Sequence, residues 1–238
     1  MNHIRLFNPE HDLALANGDR HFIAPRNIRE MGRDLAPLLD VMDDASPLVV
    51  WGWDGAVREQ LRRMGVADGQ LPTDAALAAL RTCSERQLAH HLLQAFRVAH
   101  PHGPYAGESI LAHSLDDVAA YAARYGHIIL KDPLSSSGKG LRHVNVTDGV
   151  GGNFCPDVES SLLSSLKKVE SWANALIRRH GYLTAEPYYD KVQDFAMEFY
   201  VCDGQCRFIG YSLFTTTPHG RYEGRGPACP VCPLRSPA

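Results

Sequence analysis

Lys131 closes an apolar run and is followed by a loop, Ser135-Ser136-Ser137-Gly138-Lys139-Gly140, whose composition suits phosphate. Small side chains let backbone N–H groups approach phosphate oxygens closely, and the two lysines supply positive charge. Neither of the common phosphate loops fits. Pro133 stands where a Walker loop begins with glycine, and Lys139 is followed by Gly140 rather than Ser or Thr. No G-x-G-x-x-G opens a helix here, so a Rossmann dinucleotide site has no support. The bland alternative is a solvent loop with a surface lysine, since glycine punctuates loops of every kind.

The elements around these residues must hold them in place. His127 to Leu130 reads as an apolar strand and Leu141 to Val146 as its returning partner, a hairpin with a large loop. Ser114 caps a helix through Arg124, a long amphipathic helix runs from Val158 to Arg179, and a strand from Tyr182 to Glu186 ends at Pro187. Strands Asp194 to Val201 and Cys206 to Leu213 are joined by Asp203-Gly204, a strong hairpin signal. Upstream, Ile4 to Phe7 is a short strand stopped by Asn8-Pro9 and followed by a loop. Ile28, Met31, Leu35, Leu38 and Leu39 predict a helix over Asn27–Leu39, and Leu48 to Trp51 a second strand, which together suggest a parallel α/β layer. Asp54 caps a helix to Met64; Ser84, with Gln87 three residues on, predicts a capping box opening a helix to about Val98. The breaker-rich His100-Pro101-His102-Gly103-Pro104 divides residues 1–100 from 101–224, and Pro227, Pro230, Pro233 and Pro237 make 225–238 an irregular tail.

An aliphatic run ending in Lys131, then Gly138-Lys139-Gly140, a strand, a helix and a strand ending in Glu186 resembles the ATP-grasp superfamily of carboxylate-activating ligases, over about Ser84 to Leu213. The opening Leu6 to Leu15 is also similar to uncharacterised bacterial ATP-grasp-like proteins. The resemblance implies a fold of mixed α/β and α+β class. A parallel α/β, pre-ATP-grasp-like domain would be followed by an incomplete ATP-grasp domain that holds nucleotide between antiparallel sheets.

It implies ATP as the bound nucleotide, with Lys131 on its phosphates and adenine and Ser135, Ser136, Ser137, Gly138, Lys139 and Gly140 as the lid loop. Glu186 would meet the adenine edge and Asp194 the ribose hydroxyls, while Arg86 or His90 falls near the family's first nucleotide-contacting lysine. Asn8, Glu10 and Asp12 would face a substrate; an Asn-Pro turn that merely fixes the chain explains them too. Glu186 also reads as a carboxylate in water, and Asp194 as local turn chemistry.

Magnesium is implied as well, but the family's metal-binding acid and asparagine lie on later strands that are not identifiable here, and the chain is expected to be C-terminally truncated. No catalytic residue and no metal ligand is assigned. Two functions stand open: an ATP-dependent ligase acting on a small-molecule carboxylate through an acyl phosphate, and a non-catalytic nucleotide-binding or structural fragment.

Composition bounds the rest. The 238 residues are 45% hydrophobic and 21% charged, enough for a full core, and a net charge of -3 with scattered Lys and Arg gives no footprint for nucleic acid. His3, Arg5, Glu10, His11 and Asp12 interrupt the N-terminus, and no run is long enough to span a bilayer, so a cytoplasmic protein without membrane partners is expected. Cysteines are then expected as free thiols; the sharper alternative is a four-thiolate zinc site from Cys202, Cys206, Cys229 and Cys232.

Overall fold

A computed structural model describes residues 3–43, 45–103, 107–135, 140–146, 158–202, 204–217 and 222–225. Strands β1 (Ile4–Leu6) and β2 (Leu48–Val50) pair in parallel, with Ile4 opposite Leu48 and Leu6 opposite Val50. Parallel pairing needs a crossover, supplied by α1 (His11–Asn17), α2 (Arg26–Leu35) and the short α3 (Leu39–Met42). Two expectations are corrected here. The stretch after Pro9 contains a helix rather than a loop alone, closed by Gly18 at φ 74°. The helix expected to reach Leu39 breaks into a 3₁₀ turn at Ala36–Leu38, where Pro37 has no N–H to give.

Asp54 caps α4 (Gly55–Arg63) as expected, its carboxylate accepting the N–H groups of Ala56 and Val57, each at 2.9 Å. Val57 and Leu61 then pack with Leu71 beside Ile4, Leu6, Leu48 and Val50, forming a small core. The capping box at Ser84 is not formed. Ser84 is the last residue of α5 (Asp74–Ser84), its hydroxyl donates back to the Leu80 carbonyl at 2.8 Å, and Glu85 precedes α6 (Arg86–Ala99) without a side-chain cap. A serine hydroxyl can serve the carbonyl four residues back instead of capping. The alanine-rich run of α5 favours helix throughout.

The second sheet has the order β3 (Ile110–Ala112), β6 (Leu183–Pro187), β4 (His127–Lys131), β5 (Leu141–Asn145), all antiparallel. β3 was not anticipated. Alternation decides its faces: Ile128, Leu130, Val144, Leu183 and Ala185 are fully buried against α7 (Leu115–Tyr125) and α8 (Val158–His180), with Val118, Ala122 and Ala173 completing the core. His127, Ile129 and Lys131 stand half-buried on the opposite face. A complete capping box, Ser114 with Asp117, starts α7.

The third sheet is β7 (Asp194–Cys202), β8 (Gln205–Thr216) and β9 (Tyr222–Arg225), antiparallel in that order. β9 corrects the expectation that no strand follows: it pairs Phe214 with Arg225 and Thr215 with Gly224. A parallel layer followed by antiparallel sheets is the expected architecture, and the chain has it. Residues 226–238, the bulk of the expected tail, lie outside the described residues. No described helix is long and apolar enough to cross a membrane.

Candidate functional site

Lys131 is the last residue of β4, opposite Thr184 on one side and Leu141 on the other. Glu186 lies opposite Ile129, so Lys131 and Glu186 are diagonal neighbours on one face, within reach of a long side chain. Their groups meet, Nζ to Oε2 at 2.5 Å, with the side chains 20% and 32% exposed. Directly opposite Lys131, and two residues before Glu186 on the same strand, is Thr184, 2% exposed, whose hydroxyl is buried with no hydrogen-bond partner among the described residues. A buried hydroxyl without a partner costs free energy, so this face carries a polar group that a ligand would satisfy.

The root of the loop is tightly built. Asp132 N–H donates to the Gly140 carbonyl at 2.9 Å, and the Asp132 carboxylate accepts the Leu134 N–H at 3.0 Å. A Cβ at Gly140 would overlap the Ser135 side chain and come within 2.7 Å of Asp132 Cβ, so glycine is needed for the neck to close. Arg86, first residue of α6, holds the other side: Nε donates to the Asp132 carbonyl at 3.0 Å, Nη2 to Ser135 at 2.8 Å, and its own N–H to Pro133 at 3.1 Å. Ser136, Ser137, Gly138 and Lys139 lie outside the described residues.

Farther along the same face, Tyr188 stacks on His127 with ring centroids 4.2 Å apart, and His127 Nε2 is 3.0 Å from His143 Nδ1. The sequence reading gave His127 and His143 no role at this face, although period-two spacing back from Lys131 reaches His127. His90 faces Ser109 at 2.8 Å instead of this site. Asp194 is held locally, 3.0 Å from Lys191 Nζ and 2.7 Å from the Thr216 hydroxyl, and no described bond brings it to Lys131. Burial pushes its carboxyl up, but the Thr216 hydroxyl and Lys191 together outweigh that and hold it below the usual range.

A separate polar constellation sits where β1 and β2 end. Asn8, 3% exposed, donates to the Gly52 carbonyl at 2.8 Å and accepts its N–H at 3.0 Å, while Asp54, 2% exposed, takes Asn8 Nδ2 at 3.3 Å and His11 at 3.4 Å. Gly52 is obligatory, because a Cβ would fall on the His11 ring. Glu10 has a buried carboxyl oxygen without a partner among the described residues; burial first, then Asp54, pushes its carboxyl up. It lines a cavity of about 970 Å³ with Asn8, Asp54, Arg20, Arg29 and Arg33. Asp12 is not among the lining residues.

Among the described residues no three His, Cys, Asp or Glu gather to hold a metal ion. Cys206 is a free thiol; Cys229 and Cys232 lie outside the described residues.

No family profile matches the sequence, and no curated protein matches it. Among solved structures, N5-carboxyaminoimidazole synthetase from Staphylococcus aureus, complexed with ADP, is similar at 16% identity and a TM-score of 0.40, covering 60% of this chain and 32% of that one. D-alanyl-alanine synthetase A from Vibrio cholerae O1 biovar eltor str. N16961 is similar at 8% identity and a TM-score of 0.31, covering 54% and 33%. The chain spans about a third of the length of these structures. Likeness of this degree carries no function across, and the geometry around Lys131 must do so.

Proposed function

We propose that this chain binds ATP on the open face of its four-stranded sheet and is built as an ATP-grasp-type ligase. In that reaction a carboxylate takes the γ-phosphoryl group, and an amine then attacks the acyl phosphate. The observation that supports this most is the Lys131–Glu186 pair beside the Thr184 hydroxyl, buried without a partner among the described residues, at the root of a loop rich in serine and glycine.

The parts fit a nucleotide chemically. Lys131 supplies a cationic donor for phosphate oxygens, and the Ser135–Gly140 segment supplies small residues whose backbone N–H groups can approach them. Glu186 tethers the ammonium before the ligand arrives, and its carboxylate can then accept from an amino or hydroxyl group of the nucleoside. Arg86 keeps the loop root at a fixed distance from Lys131 by holding its carbonyls. Thr184 gains the hydrogen bond it lacks. Asp194 takes part in this reading as a ribose contact only if it gives up Lys191 and Thr216.

The carboxylate substrate belongs, in the same reading, to the cavity at the ends of β1 and β2, where Arg20, Arg29 and Arg33 offer guanidinium donors. Magnesium bound with the nucleotide would neutralise charge that develops on the phosphates. Release of ADP on adding candidate carboxylates tests the ligase reading. Nucleotide binding with no release under any carboxylate would leave a binding protein and contradict turnover.

A further inference from the structure

We propose a second ligand site, whose lining includes neither Lys131, Thr184 nor Glu186 and which is independent of the ligase reading. The cavity between the C-terminal end of α6, the 107–110 segment and α7 takes a small oxyanion, a phosphate or carboxylate group. The cavity measures about 620 Å³ and is lined by Gln94, Arg97, Glu108, Ser109, Tyr121 and Arg124.

Tyr121 is 6% exposed, and its hydroxyl is buried with no hydrogen-bond partner among the described residues. Its ring is fixed in the core beside Val118 and Ala122 and packs on Tyr125 at 4.7 Å, so the hydroxyl cannot turn to solvent for a partner. A built-in donor of this kind is costly unless something accepts from it.

The charges around it name the ligand. Two guanidinium groups, Arg97 and Arg124, face one carboxylate, Glu108, at 3.4 Å and 3.6 Å. That carboxylate also accepts the Tyr125 hydroxyl, which holds it below the usual carboxylate range and therefore ionised. One positive charge is left over. Arg97 spends one donor on the Gly107 carbonyl at 3.0 Å, whereas Arg124 lies over the Tyr125 ring at 4.8 Å with its side chain 67% exposed, and most of its donors are available. The Ser109 hydroxyl is engaged by His90 and is not counted. A rigid hydroxyl, the Gln94 amide and a planar guanidinium fork lining one cavity with a surplus of positive charge match the oxygens of a phosphate or carboxylate.

The test uses the full chain in phosphate-free buffer, titrated by calorimetry with inorganic phosphate and separately with acetate. The site predicts saturable binding of at least one of the two, and which one binds names the source. Arg124→Gln, an exposed substitution that leaves the fold intact, weakens that binding about ten-fold or more, as expected for loss of a charge-assisted hydrogen bond. Tyr121→Phe keeps the ring and weakens it as well, while Lys131→Ala leaves it unchanged. Absence of binding by both anions, survival of binding in Arg124→Gln, or its loss in Lys131→Ala would overturn the proposal.

Discussion

Thr184 carries a contradiction that a ligand resolves: a strand residue 2% exposed, with its hydroxyl facing Lys131's side of the sheet and bonded to nothing described. Thr184→Val removes that hydroxyl at nearly constant volume. The ligand-free protein is expected to gain about 1 kcal/mol in denaturant unfolding, while ATP affinity falls. A loss of stability would show the hydroxyl already satisfied. Glu10 gives a pH signature of its own. Its carboxyl is raised above the usual 4.5, first by burial and also by Asp54. A raised carboxyl contributes stability that is fully present below the unfolded value and is lost as pH rises through the folded one. Glu10→Gln should therefore stabilise the protein near neutral pH and lose that advantage below pH 4.5; thermal midpoints across that range check the sign. Lys131 and Glu186 were legible because each closes an apolar run. Their diagonal meeting was not, because it depends on the register between β4 and β6, which no local pattern encodes.

At the scale of elements, the neck of the loop depends on glycine and the strand on burial. Gly140→Ala forces a methyl against Ser135 and Asp132 and should cost about 1–3 kcal/mol as overpacking does, with weaker nucleotide binding as the neck opens. An unchanged unfolding midpoint would refute the tight neck. Leu130→Ala, at a position 0% exposed between sheet and helices, should cost about 2–5 kcal/mol in the same assay. Elements with strong local signals were legible, such as α7 behind its Ser114 cap and the β7–β8 hairpin. Those missed are short or defined by partners. β3 has three residues and gains its identity by pairing with β6, and β9 does so by pairing with β8. At Ser84 two hydrogen bonds compete, and the chain chose Leu80 over the cap.

The whole molecule has a dominant core, between α7, α8 and the four-stranded sheet, and a smaller one of Val57, Leu61 and Leu71 beneath the parallel pair. Local stability follows such differences. Native-state hydrogen exchange should find the β4 and β6 amides slowest, those of β1 and β2 faster, and β7 faster again, since its side chains are largely exposed. That hierarchy puts the proposed nucleotide face on the most stable part of the chain, with Lys131 at the end of its central strand. Binding of nucleotide phosphate by Lys131 is tested by calorimetric titration of ATP into the wild type and Lys131→Ala. The prediction is saturable binding by the wild type and at least about ten-fold weaker binding by the variant, with unchanged circular dichroism. No binding by the wild type, or equal binding by both, would contradict it.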